Sequence, residues 1–243
     1  MRPPAGIAAT ALRTATASLC AVTALGVTAC DTVFAQQQDP APFARLSGPE
    51  VVNKALAATR AATSVRIAVG TKSPDGAPVQ AYVATDIRGE CTVTLSMGAA
   101  GTMELVRTGG TVYTQSDEAM LRAADAGRSR TTVGTEVKKL TGRWVKARPS
   151  DRYTTEALSY CDRKVFLDRL AGNSATAHKG RAATVDSAPT LSLTGTAGRG
   201  TWTAEIAAEG RPHILKLSFS TGTPVTVEFS EFDQPFTVKR PAV

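Results

Sequence analysis

Most of this chain alternates. Val65, Ile67 and Val69 stand at every second position, as do Val79, Ala81, Val83, Thr85 and Ile87, then Val93, Leu95 and Met97, then Met103 and Leu105. The last third repeats the pattern in Leu191 and Leu193, in Trp202, Ala204 and Ile206, in Leu215, Leu217 and Phe219, and in Val225, Val227 and Phe229. Successive side chains of a strand point to opposite faces, so period two means one apolar and one polar face. Turn residues punctuate the runs at Pro74-Asp75-Gly76, Gly109-Gly110, Glu209-Gly210-Arg211-Pro212 and Thr221-Gly222. Shorter strands are expected at Gly142–Lys146 and through Phe236 and Val238. A chain patterned this way folds as an antiparallel meander whose one greasy face must be covered.

Helical period supplies the cover. Ser47 and Glu50 have the spacing of a capping box, with Pro49 in the first turn, and Val52, Leu56 and Thr59 then share a face. Residues 117–127 read as a short helix, and Arg128 to Thr135 as a polar loop. A long helix is expected from Thr154 to Leu170, ended by Gly172, with Leu158, Cys161, Val165 and Phe166 on its inner side. About ten strands and two or three helices make an α+β domain. A sheet this wide curls into an incomplete β-barrel wrapped around the helices. Val65, Ile67, Val83, Leu95, Met103, Leu105, Trp202, Ile206 and Leu217 belong to the concave layer. Either they line a cavity for an apolar ligand, or the helices fill the layer completely. Cavity and dry core use the same residue types.

The N-terminus says where such a domain works. Leu25-Gly26-Val27-Thr28-Ala29-Cys30 closes an uncharged run that follows Arg2 and Arg13. This is the pattern of a bacterial lipoprotein signal, cut between Ala29 and Cys30, after which Cys30 carries the lipid. The competing reading is an ordinary signal with an incidental cysteine. The expected organisation is a signal peptide over residues 1–29, a lipidated cysteine and tether over 30–47, and one domain over 48–243. No later stretch approaches the roughly 20 apolar residues needed to cross a bilayer. Attachment would then rest on a diacyl anchor at Cys30, which holds more stably than a single chain. Asp31 follows that cysteine, as in lipoproteins kept at the cytoplasmic membrane, and so favours its outer face.

Cys91 and Cys161 remain as an even pair in an oxidising compartment. A bridge between them is expected, two buried free thiols being the alternative. No metal site is expected, because His178 and His213 lack ligand spacing. The formal charge of +7 is scattered along the chain and not striped as on nucleic-acid binders. No nucleophile elbow, phosphate loop, dinucleotide fingerprint or zinc-binding His pair occurs. The carboxylates Glu228, Glu231 and Asp233 read as solubilising groups near a strand edge. The expectation is a monomeric binding protein without cofactor or catalytic residues.

Taken together, the Cys30 signal, the Cys91/Cys161 pair, Gly142-Arg143-Trp144-Val145-Lys146 and the closing Val238-Lys239-Arg240-Pro241 resemble actinobacterial lipoproteins of the LppX/LprG-like kind. That kind is more distantly similar to the carrier LolA. The resemblance spans roughly residues 48–243 and implies a half-barrel with an apolar cavity. The implied function is carriage of a lipid or lipoglycan by its acyl chains between membrane and wall. A lipid-anchored module that binds or senses a protein partner, without a cavity, is the second reading.

Overall fold

Among the described residues, eleven strands pair into a single antiparallel sheet that does not close on itself. They are β1 (Ser64–Lys72), β2 (Pro78–Asp86), β3 (Cys91–Ser96), β4 (Thr102–Thr108), β5 (Thr111–Ser116), β6 (Val145–Lys146), β7 (His178–Val185), β8 (Ala188–Ala197), β9 (Gly200–Ala207), β10 (Ile214–Phe219) and β11 (Val225–Ser230). The order is β6-β5-β4-β3-β2-β1-β11-β10-β9-β8-β7, so the chain lays down one meander, then a second, and joins them where its last strand pairs with its first. That seam is antiparallel, with Ile67 opposite Phe229 and Val69 opposite Val227. The structure is a computed structural model and describes residues 43–125, 130–148 and 150–243, with the backbone alone at 130–133. The signal, the Ala29/Cys30 cut and most of the tether lie outside these residues.

The helices are α1 (Gly48–Ala61), α2 (Glu118–Ala124), α3 (Arg130–Leu140), α4 (Arg152–Tyr160) and α5 (Lys164–Ala171). The capping box opens α1 as its spacing predicts, with Ser47 N–H donating to Glu50 Oε2 at 2.7 Å and Glu50 N–H donating to Ser47 Oγ. Val51, Val52, Ala55, Leu56 and Thr59 form its buried face. Gly48 has to be glycine for space, since a Cβ there would stand 2.2 Å from the Ala177 carbonyl oxygen. The far end of α1 is capped from α5's side, where Arg163 Nη2 donates to the Arg60 carbonyl at 3.1 Å. Arg60 also pairs with Asp168 of α5 at 2.8 Å.

Several sequence expectations change here. The helix expected from Thr154 to Leu170 is two helices, because the chain turns at Cys161. There Asp162 Oδ1 accepts from Lys164 N–H at 3.0 Å and so restarts the helix. Residues 130–135, expected in a polar loop, form the first half of α3. Its one buried side chain among those described, Val137, is too sparse a signal for helical period. The strand expected over Gly142–Lys146 shrinks to Val145–Lys146. Leu215 does not join Leu217 in the inner layer: the register shifts between Ile214 and Lys216, and Ile214 takes the buried place.

Phe236 and Val238 are not in a strand. After β11 the chain turns off the sheet with Glu231 (φ 49°) and Asp233 (φ 59°) in the left-handed region. Asp233 holds that turn by accepting from Thr63 N–H at 2.6 Å, while Ser64 Oγ donates to the Gln234 carbonyl. The segment then crosses the outer face of the first meander. Pro235 and Phe236 lie beside Ala84 of β2, and Arg240 sits 5.6 Å from the Tyr113 ring centre on β5. Ala84, Val106 and Tyr113 are buried although they point away from the core side. The alternation of Phe236 and Val238 is real, but it faces a surface and pairs with no ladder.

Candidate functional site

Strand register lines up the inner face. Met103, Leu95, Ala81, Val69, Val227, Leu217, Ala204 and Leu193 sit side by side on eight successive strands, forming one apolar row from β4 to β8. The nine residues read from sequence as the concave layer all fall on this face and in one core cluster. Each of them is between 0% and 4% exposed. The sequence pattern therefore located the layer, but the layer is closed in this structure.

Helices do the closing. α1 packs against β7, β10 and α5, and α4 against β2, β3 and β4. Phe166, Leu167 and Leu170 of α5 and Ala157 of α4 complete the buried cover, with Met120 of α2 at its edge. Asp117 caps α2 by accepting from Met120 N–H at 2.8 Å and also takes Thr102 N–H at 2.8 Å. This close approach demands Gly101 (φ 102°), whose Cβ would otherwise lie 2.3 Å from Asp117 Oδ1.

One bond in this cover is covalent. Cys161, at the end of α4, is bridged to Cys91 on β3, with Cα atoms 5.9 Å apart. Both cysteines are buried, and Thr85 Oγ1 donates to the Cys161 carbonyl at 3.2 Å beside them. On the other half, Ile214 N–H donates to Thr59 Oγ1 of α1 at 2.9 Å.

Two clefts border the C-terminal segment, outside the helix-covered interior. The larger, about 380 Å³, is lined by Thr63, Asp86, Ile87, Arg88, Asp233 and Phe236. Its carboxylates are committed: Asp86 to Arg88 at 2.8 Å and Asp233 to Thr63. The smaller, about 20 Å³, sits between the first residues of β1 and the C-terminal segment.

His213 lies at this rim, buried and stacked on Phe232 with ring centres 4.0 Å apart. Burial pushes its imidazole below the ordinary histidine range; Asp233 opposes the shift and Arg211 reinforces it. The folded protein thus binds fewer protons here than the unfolded chain does. The resulting stability is whole above about pH 6.5 and is lost as the pH falls from there toward the folded value. Thermal melts between pH 7 and 5.5 should show a decline that His213→Gln flattens. An identical slope in the variant would rule His213 out as its source.

No family model matches the chain, and no curated protein sequence matches it significantly. Solved structures do. LprF from Mycobacterium bovis aligns over 81% of this chain and 97% of its own, with TM-score 0.53 and 15% identity. The lipoprotein LppX from Mycobacterium tuberculosis aligns over 79% of this chain and 97% of its own, with TM-score 0.51 and 16% identity. A LolA-superfamily protein from Nitrosomonas europaea is more distant, at TM-score 0.33 and 12% identity over 79% of this chain and 96% of its own. The chain has the LppX/LprG-like fold: an open antiparallel half-barrel with helices laid along its inner face.

Proposed function

We propose that this protein is an extracytoplasmic lipoprotein, anchored through lipid on Cys30 at the outer face of the cytoplasmic membrane, that binds acyl chains between its sheet and its helices. The reading takes it as a monomeric binding protein and not an enzyme. The observation that carries it is the apolar row running unbroken across eight strands under a cover of short helices. Such an interface can exchange helix side chains for methylenes at little net cost, since each buried methylene contributes about 0.8 kcal/mol whatever molecule carries it.

The cover is unequal. α4 is stapled to β3, whereas α1 lies on β7 and β10 and α5 lies on α1, with no disulfide in either helix. Acyl chains entering the interior would lift α1 and α5 and leave α4 in place. Hydrogen exchange on the full-length protein in mild detergent tests this with added diacylglycerol. Faster exchange in α1 and α5, with α4 unchanged, is the expected result. Unchanged exchange throughout, together with no uptake of the lipid, would remove the proposal.

The second reading, a lipid-anchored module for a protein partner, is favoured by one observation: the interior is closed by side chains, while Tyr82 and Ile87 are 57% and 65% exposed. It would stand if no lipid enters.

A further inference from the structure

Trp202 is among the largest side chains sealed in the interior, at 0% exposed, and its indole Nε1–H has no hydrogen-bond partner. Buried polar groups nearly always find one. Two hydroxyls seated between sheet and helices do so, Thr59 taking the Ile214 N–H and Thr85 donating to Cys161, whereas Arg163 Nη1 and His213 Nδ1, like the indole, have none. Across the sheet Trp202 is paired with Gly195 and Phe219, which offer no side-chain acceptor. The ring lies against Gly195 so closely that a Cβ there would stand 2.6 Å from Nε1. A phenylalanine would supply apolar bulk at this place without a stranded donor. The indole nitrogen adds nothing to the closed core.

We propose that Trp202 Nε1–H is the recognition point for a neutral oxygen acceptor on the bound lipid, the ester carbonyl of an acylglycerol. This rests on the reading above that acyl chains enter between sheet and helices, and it adds what they must carry. Indole N–H is a donor only, so the group that meets it must accept. The acceptor is neutral because the indole is sealed among apolar side chains, where an ion would lose its hydration. Arg169 of α5 sits 3.9 Å from the Phe219 ring centre and donates to the Thr221 carbonyl. The position fits the cover expected to move, since Arg169 and Phe219 join α5 to the strand beside Trp202.

The test compares dioleoylglycerol with its dioleyl ether analogue, which keeps the chains and lacks the carbonyls. The full-length protein in mild detergent should bind the ester about tenfold more tightly, as one well-made hydrogen bond allows. Trp202→Phe should bind both lipids at the level of the ether. In wild-type protein labelled with ¹⁵N at the indoles of Trp144 and Trp202, one resonance should move downfield with the ester and not with the ether. Trp144→Phe identifies that resonance even where Trp202→Phe fails to fold. Equal binding of the two lipids by the wild type would overturn this inference and leave acyl-chain binding standing. Binding of neither lipid would overturn both, as would not be the case for a preference retained in Trp202→Phe, which sinks the Trp202 assignment alone.

Discussion

Replacing Cys91 and Cys161 together by serine lowers the melting temperature by roughly 10 °C. The bridge spans a sequence separation of 70 residues. Closing a loop of that length removes about 4 kcal/mol of freedom from the unfolded chain in the entropy model. For a domain of this size each kcal/mol corresponds to roughly 2–4 °C. A second consequence is local. α4 buries only Thr154 and Ala157, so the bridge at its end is its main hold on the sheet. Its amides should lose protection in the variant before those of β1 and β2 do. Full protection of α4 together with an unchanged melting temperature would mean that packing alone seats this helix.

Trp202→Ala is the other large effect, a loss of about 3–5 kcal/mol. The indole occupies a hollow that Gly195 creates, with ring atoms 2.4–2.6 Å from where a Cβ would be. Neighbouring strands cannot collapse into the void, because their register is fixed by the ladders on both sides of β9. Gly195→Val should destabilise from the opposite direction, by driving the ring out of its seat. Urea titration reads both. A Trp202→Ala midpoint within error of wild type would show that the ring is not a structural plug.

These two residues also mark how far the sequence could be read. Alternation was sufficient for β1, β3, β4, β8, β9 and β11, where one face is buried and the other wet; in β2 it ran one step too far, to the exposed Ile87. It failed at β7, whose residues His178–Val185 are exposed or half-buried on both faces because the strand is an edge. Without a buried face there is no apolar period to see. It misplaced Leu215 because a bulge inserts a residue that periodicity cannot count. The break at Cys161 was invisible because Leu158, Val165 and Phe166 keep helical spacing across it. The candidate interior was legible as a list of inward residues. Its closure was not, since a covered sheet and a filled cavity are written with the same Val, Leu and Ile. The orphaned indole N–H was beyond sequence altogether: whether a tryptophan finds an acceptor depends on its three-dimensional neighbours.

The function proposed here requires that the space between sheet and helices accept acyl chains. Native mass spectrometry of the full-length protein, extracted from its own membranes in mild detergent, tests it most directly. The expected result is a reproducible added mass, beyond any covalent lipid, that organic solvent strips away and that added diacylglycerol restores. A single species with no such mass, which also takes up no added lipid, would contradict it.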